Sequence, residues 1–211
     1  MTLLPIFLRL ERRPVLVVGA GTVALAKIES LRASGAALTV VAPAAVQPIQ
    51  DLASEGGLVW HRRLFAPHDL VGMFLVIAAT NNASVNRAVY DEALARNVLC
   101  NAVDDPPNCD FYFGSIVRRG DLQIAISTAG ESPALAQRLR HEFDAQLPAA
   151  FGPWLAEIGQ LRREIRSALP AGPERVALLH DLAHRPLATS PIPTREWVRQ
   201  RIARLRQEAA A

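Results

Sequence analysis

Short apolar runs recur through the first half of the chain, at 15–18, 38–41, 58–60, 74–79 and 98–103. Runs this short and this continuous predict strands buried on both faces of a sheet. Between them, 22–34 reads as a helix with Val23, Leu25, Ala26, Ile28 and Leu31 as packing positions, and Gly35 closes it as a C′ glycine. A shorter helix is predicted over 48–54, and Asn82 is placed to cap another that runs to Arg96. Strands alternating with helices predict a parallel sheet covered on both faces.

The period changes after residue 110. Two β-like runs, 111–117 and 122–127, flank Arg118-Arg119-Gly120-Asp121, and Leu122, Ile124 and Ile126 alternate with Gln123, Ala125 and Ser127. That period of two with a glycine link predicts an antiparallel hairpin. Ser132-Pro133 then opens a helix, Ser at the N-cap and Pro at its first position, with Leu135, Leu139 and Phe143 in an apolar stripe that ends near Pro148. The remainder is helical: Trp154, Ile158, Leu161, Ile165 and Leu169 share a face, a shorter helix covers 174–183, a proline-rich link spans 186–193, and a last helix carries Val198, Ile202 and Leu205. The expected organisation is an α/β region over 1–112, a hairpin-plus-helix region over 113–148 and a helical C-terminal region over 149–211.

With 211 residues, half of them hydrophobic and a fifth charged, the chain can bury a real core. No apolar run is long enough to span a bilayer, and residues 1–10 lack a basic start and a cleavage site, so neither a membrane span nor a signal peptide is expected. Cys100 and Cys109 form no disulfide framework and no zinc pattern, which predicts a reducing, cytoplasmic setting. The net charge of +3 suits an anionic ligand; its arginines concentrate after Arg138, where helices carry them as a solvated face rather than a nucleic-acid stripe.

The densest chemistry lies in Gly19-Ala20-Gly21-Thr22-Val23-Ala24, directly after the first strand. This is a G-x-G-x-x-A dinucleotide motif of Rossmann type. Gly19 permits the tight turn, Gly21 lets backbone N–H groups approach a pyrophosphate, and Ala24 allows close helix–strand packing. The acidic residue expected after the second strand is replaced by Val41-Ala42-Pro43-Ala44, which leaves NAD and NADP both open and points to backbone at Pro43 and Ala44 in the ribose pocket. Thr80, Asn81 and Asn82 end a central strand, where ligands of open α/β sheets bind; Thr80 is a candidate cofactor contact, and Asn82 is a candidate for either a ligand or a cap. Asp104, just past the fifth strand, can accept a proton as a substrate carbon loses hydride, whereas Asp105 precedes Pro106 and reads as a turn residue. His180 and His184 lie four apart, but Asp181 and Arg185-Pro186 argue for a packed or solvated pair, so no metal site is expected.

In order, Gly19-Ala-Gly-Thr-Val-Ala24, Ala78-Ala-Thr80-Asn, Asn101-Ala-Val-Asp104-Asp105-Pro106 and Ser127-Thr-Ala-Gly130-Glu-Ser132-Pro133 resemble the N-terminal half of siroheme synthase and its stand-alone relatives over most of 5–148. The resemblance implies oxidation of precorrin-2 to sirohydrochlorin with NAD, in some members followed by ferrous iron insertion. It implies Asp104 as the catalytic aspartate, NAD contacts at Thr22, Val23, Pro43 and Ala44, and a homodimer built through the hairpin and the helix after Ser132. The bifunctional enzymes carry a methyltransferase domain beyond the matching region, and that activity is not expected of this chain. Ser127, Thr128, Gly130 and Ser132 at a helix start suit the carboxylates of a tetrapyrrole, with Arg138 or Arg140 as helpers. The alternative reading is a non-catalytic, NAD-binding redox sensor whose Arg195, Arg199, Arg201, Arg204 and Arg206 contact nucleic acid or another partner.

Overall fold

The computed structural model describes residues 3–185 and 192–208. It divides into two compact units, one over Leu3–Phe113 and one from Gly114 onward. Most of the proline-rich link, residues 186–191, lies outside the described residues.

The first unit is built on β1 (Pro14–Val18), β2 (Ala37–Val41), β3 (Val59–His61), β4 (Leu75–Ala78) and β5 (Leu99–Ala102). All four pairings are parallel, in the order β3-β2-β1-β4-β5. The chain winds outward from β1 to β3, then crosses back to β4 on the other side of β1, so the switch point falls between β1 and β4. In open sheets that is where ligands bind.

Why β1 is central follows from its residues. Val15 and Val17 pack with Ala24 and Ile28 of α1 (Thr22–Ala33) and Ile49 of α2 (Gln47–Ser54). Leu16 and Val18 point to the opposite face, with Val76 of β4 and with Val89 and Ala93 of α3 (Ala83–Arg96). These four of the five β1 residues are buried, each worth about 1.5–3 kcal/mol. Gly35, with φ +74°, ends α1 as expected. Asn82 caps α3 by accepting the Ser84 and Val85 N–H groups.

The second unit opens with β6 (Ser115–Arg119) and β7 (Leu122–Ile126), an antiparallel hairpin turned by Gly120-Asp121. Helices α4 (Pro133–Gln146), α5 (Phe151–Ala168), α6 (Pro173–Ala183) and α7 (Ile192–Glu208) follow. Ser132 Oγ accepts the Leu135 N–H, giving the expected cap on α4. The Arg119 guanidinium ties the hairpin to the end of α4, donating to the Leu147 and Asp144 carbonyls and the Asp144 carboxylate at 2.8–2.9 Å. Leu161, Ile165 and Leu169 meet Leu178, Leu182 and Val198 in a separate small core. Leu135 and Phe143 of the α4 stripe stay exposed, at 38% and 39%.

One expected strand is shorter than its apolar run. Residues 111–113 do not join β6; the Phe111 carbonyl instead accepts the Asn101 side-chain amide at 2.8 Å, and the Phe111 and Phe113 rings pack on the core of the first unit. Arg118 and Arg119, expected in the link, pair with Gln123 and Leu122 inside the hairpin.

Candidate functional site

The turn after β1 is fixed by contact with β4's continuation. Gly19 has φ +106°, and a Cβ there would lie 2.2 Å from the Ala79 carbonyl oxygen. The turn is pinned by three backbone bonds: Gly19 N–H to the Val41 carbonyl, Ala79 N–H to that of Val18, and Val46 N–H to that of Ala20. Gly21 is different. Its φ of −84° suits any residue, and a Cβ there would meet nothing within 4 Å. It stands at the N-cap of α1 with no side-chain cap, and the first turn holds no acidic residue. The N–H groups of that turn are therefore left for an external acceptor, and the helix dipole favours an anion.

These residues border a cavity of about 680 Å³ over the carboxyl ends of β1, β2 and β4. Gly19, Gly21, Pro43, Ala44 and Thr80 all line it, joined by Leu64, Phe65 and Pro67 after β3 and by Asn82, Ser84 and Val85 at the start of α3. Thr22 and Val23 do not line it; they sit on the exposed first turn of α1, directly after Gly21. None of the cavity-lining residues is charged, so the negative charge of a bound anion would be met by backbone N–H groups, the helix dipole and neutral side-chain donors such as Ser84. The volume falls in the range of small-molecule and cofactor sites.

Thr80 is held by a residue that sequence reasoning missed. The buried Asn86 side chain accepts both the N–H and the hydroxyl of Thr80, at 3.2 and 2.7 Å, and donates to its carbonyl at 3.0 Å. The signal was present: Asn86 falls one turn after the Asn82 cap, on the face that also carries Val89 and Ala93. A polar residue there has to find partners, and Thr80 supplies them.

Asp104 lies beyond β5, on the other side of the switch point from β2 and β3. It is exposed and holds a left-handed backbone, φ +60°. Asp105 is committed to its turn, its carboxylate accepting the Asn108 amide at 2.6 Å. Among the described residues no donor hydrogen-bonds the Asp104 carboxylate. The charge of Asp104 acts on Lys27 of α1, whose ammonium rests 4.1 Å from the centre of the Phe113 ring. Burial lowers the Lys27 pKa, and the charge of Asp104 opposes that shift. Cys109 is half-buried rather than exposed, with Sγ donating to the Ala102 and Asp105 carbonyls. Burial, with Asp110 and Cys109 nearby, pushes the Cys100 thiol up to about 12, so it behaves as an apolar group.

In the second unit, Ser127, Thr128, Gly130 and Ser132 share the turn between β7 and α4. Ala129 and Gly130 have φ +52° and +90°. Ser127, Thr128 and Ser132 each accept a backbone N–H through the side-chain oxygen, which leaves their hydroxyl protons free to donate. The His184 ring nitrogen Nδ1 lies 2.8 Å from the His180 carbonyl, and the described residues hold no group of three metal-ligating side chains. Of the five C-terminal arginines, Arg195 makes a two-pronged pair with Glu157, Arg204 pairs with Glu208, Arg206 caps the Ala168 carbonyl, and Arg201 lies 3.9 Å from Asp181. No described helix is long and apolar enough to cross a membrane.

Comparison with known proteins adds to this geometry. Residues 6–115 match a family described as putative NAD(P)-binding, and residues 119–146 match one described as sirohaem biosynthesis protein central. The chain is 44% identical over 175 residues to siroheme synthase 1 of Pectobacterium atrosepticum, covering 83% of this chain and 36% of that one. It is 50% identical over 152 residues to siroheme synthase 1 of Cronobacter sakazakii, covering 72% and 32%. It thus spans about a third of the length of these relatives. Among solved structures, that of SirC, precorrin-2 dehydrogenase, matches with a TM-score of 0.81 and 27% identity, over 94% of this chain and 98% of that one.

Proposed function

The chain belongs to the family described as putative NAD(P)-binding, and from that premise we propose that it oxidises precorrin-2 to sirohydrochlorin with NAD. The observation that carries the reading is one sheet with two complementary ends. The uncharged cavity with free N–H groups lies over β1, β2 and β4, and the unpartnered Asp104 carboxylate follows β5. The likeness to SirC, precorrin-2 dehydrogenase, along nearly the whole of both chains supports the substrate.

The oxidation removes a hydride and a proton from the reduced macrocycle. Bound NAD supplies the hydride acceptor. The first turn of α1, with Thr22 and Val23, would hold the pyrophosphate, Pro43 and Ala44 would take the ribose, and Thr80, which lines the same cavity, would contact the cofactor. Asp104 takes the proton, its carboxylate free of competing donors. Ser127, Thr128, Gly130 and Ser132 bind substrate carboxylates through the hydroxyls that their turn leaves free to donate. Insertion of ferrous iron, as a substrate, is the second proposed step, supported by the siroheme synthase relatives. The exposed Leu135 and Phe143 on α4 support a homodimer joined through that helix.

The test is an anaerobic mixture of the purified chain, precorrin-2 and NAD, without metal, with NADH and sirohydrochlorin absorbance followed together. Matched, enzyme-dependent growth of both is expected, and ferrous iron added afterwards reads out the second step. A chain that binds NAD and produces neither signal would overturn the reading.

A further inference from the structure

The loop after β3 is built more firmly than a connection needs to be. Asp69 retains only 5% of its side-chain exposure and accepts two hydrogen bonds from the Arg63 guanidinium, at 2.8 and 2.5 Å. The same carboxylate accepts the Ala66 N–H at 2.9 Å, and the same guanidinium donates to the Leu64 carbonyl at 3.0 Å. One ion pair therefore grips the backbone on both sides of Phe65. Pro67 then stiffens the way into the 3-10 turn Pro67–Leu70.

What this grip presents is apolar and aimed at the cavity. Leu64, Phe65 and Pro67 all line it. Phe65 packs against the buried cluster that includes Val41 and Leu70, whereas Leu64 remains 72% exposed. The loop stands on the β2–β3 side of the glycine turn, away from Asp104 beyond β5. A dinucleotide lying across the switch point, with its pyrophosphate at α1 and its reacting ring toward Asp104, has its other base on this side.

We propose that Leu64 and Phe65 form the wall that receives the adenine ring, and that the Arg63–Asp69 pair is the positioning element that holds it. The inference rests on the dinucleotide reading above and names its adenosine end. An aromatic base is the occupant the wall suits: flat, largely apolar on its faces and in need of no charged partner, where the lining offers none. The occupant also explains why a large aliphatic side chain stands exposed at the rim of a cavity.

Calorimetric titration of the full chain with NAD and with ADP tests this in the wild type, Leu64→Ser and Asp69→Asn. Both variants should weaken NAD and ADP by the same factor, about 10-fold, as expected when one apolar contact is lost. In steady state the KM for NAD should rise by that factor with kcat unchanged, a split that a general loss of stability would not produce. Leu64 is exposed, so its variant folds even if Asp69→Asn does not. Wild-type ADP affinity in Leu64→Ser overturns the wall, and wild-type affinity in a folded Asp69→Asn overturns the latch. A wild-type chain that binds neither nucleotide overturns the dinucleotide reading itself, and this inference with it.

Discussion

A methyl group on Gly19 would stand 2.2 Å from the carbonyl oxygen of Ala79, inside any allowed contact and against backbone that cannot swing away. Two steps along, Gly21 has open space at the same position. The two glycines therefore answer to different demands, one to the fold and one to the ligand. Gly19→Ala should cost about 3 kcal/mol or more, from a strained φ and an overpacked turn, and lower the melting temperature sharply. Gly21→Ala should melt as the wild type does and lose NAD affinity at least 10-fold, because the methyl stands where the pyrophosphate approaches. Differential scanning fluorimetry with and without NAD separates the two. Equal melting temperatures for both variants would contradict the assignment.

Asp104 and Asp105 are neighbours with unlike surroundings, and that difference is testable. The Asp105 carboxylate bonds Asn108, while that of Asp104 has no partner among the described residues. Asp104→Ala should reduce turnover of precorrin-2 by 100-fold or more while leaving NAD affinity near wild type. Asp105→Ala should instead lower stability by about 1–2 kcal/mol through the lost turn bond, with a smaller effect on turnover. Paired measurements of kcat, NAD affinity and urea unfolding decide which carboxylate serves the chemistry.

Asn86 acts on the site through Thr80. Its amide satisfies the Thr80 N–H, hydroxyl and carbonyl at once. Asn86→Leu keeps the volume and strands those three groups, so a loss of about 2 kcal/mol is expected. Because Thr80 borders the cavity, NAD affinity should fall as well. The ligand-induced rise in melting temperature reads both effects in one experiment. A variant with wild-type stability would show that solvent serves Thr80 as well as Asn86 does.

The parallel sheet was legible because β1 is buried on both faces, which forces the run Val15-Leu16-Val17-Val18 to be apolar without a break. The glycine turn was legible because backbone geometry excludes other residues at Gly19 and close ligand approach favours glycine at Gly21. Residues 111–113 were misread as strand because an aromatic run carries the same composition whether it pairs with a strand or packs on a core; only the Asn101 amide, which takes the Phe111 carbonyl, distinguishes the two. Asn86 and the Arg63–Asp69 pair were missed for another reason. Asn86 stands out only as a polar residue on the buried face of α3, and its partner Thr80, like the pairing of Arg63 with Asp69, is set by how the loops fold rather than by any spacing along the chain.

The Arg63–Asp69 pair also gives stability a defined pH dependence. The Arg63 guanidinium foremost, and the Ala66 N–H after it, hold the Asp69 carboxyl below its ordinary value, although burial acts the other way. A carboxyl whose folded pKa is depressed binds fewer protons folded than unfolded. Its contribution is complete above the unfolded value, about 3.9, and is lost as pH falls from there through the folded value. Arg63 retains 40% exposure, so solvent and salt moderate the effect. The gap in unfolding free energy between wild type and Asp69→Asn, about 1–2 kcal/mol at pH 7, should therefore hold steady down to about pH 5 and narrow as pH falls below about 4. Urea unfolding of both proteins across that range measures it. A gap that is constant to pH 3 would mean that the Asp69 carboxylate is not held by charge, and that the loop owes its position to Phe65 packing alone.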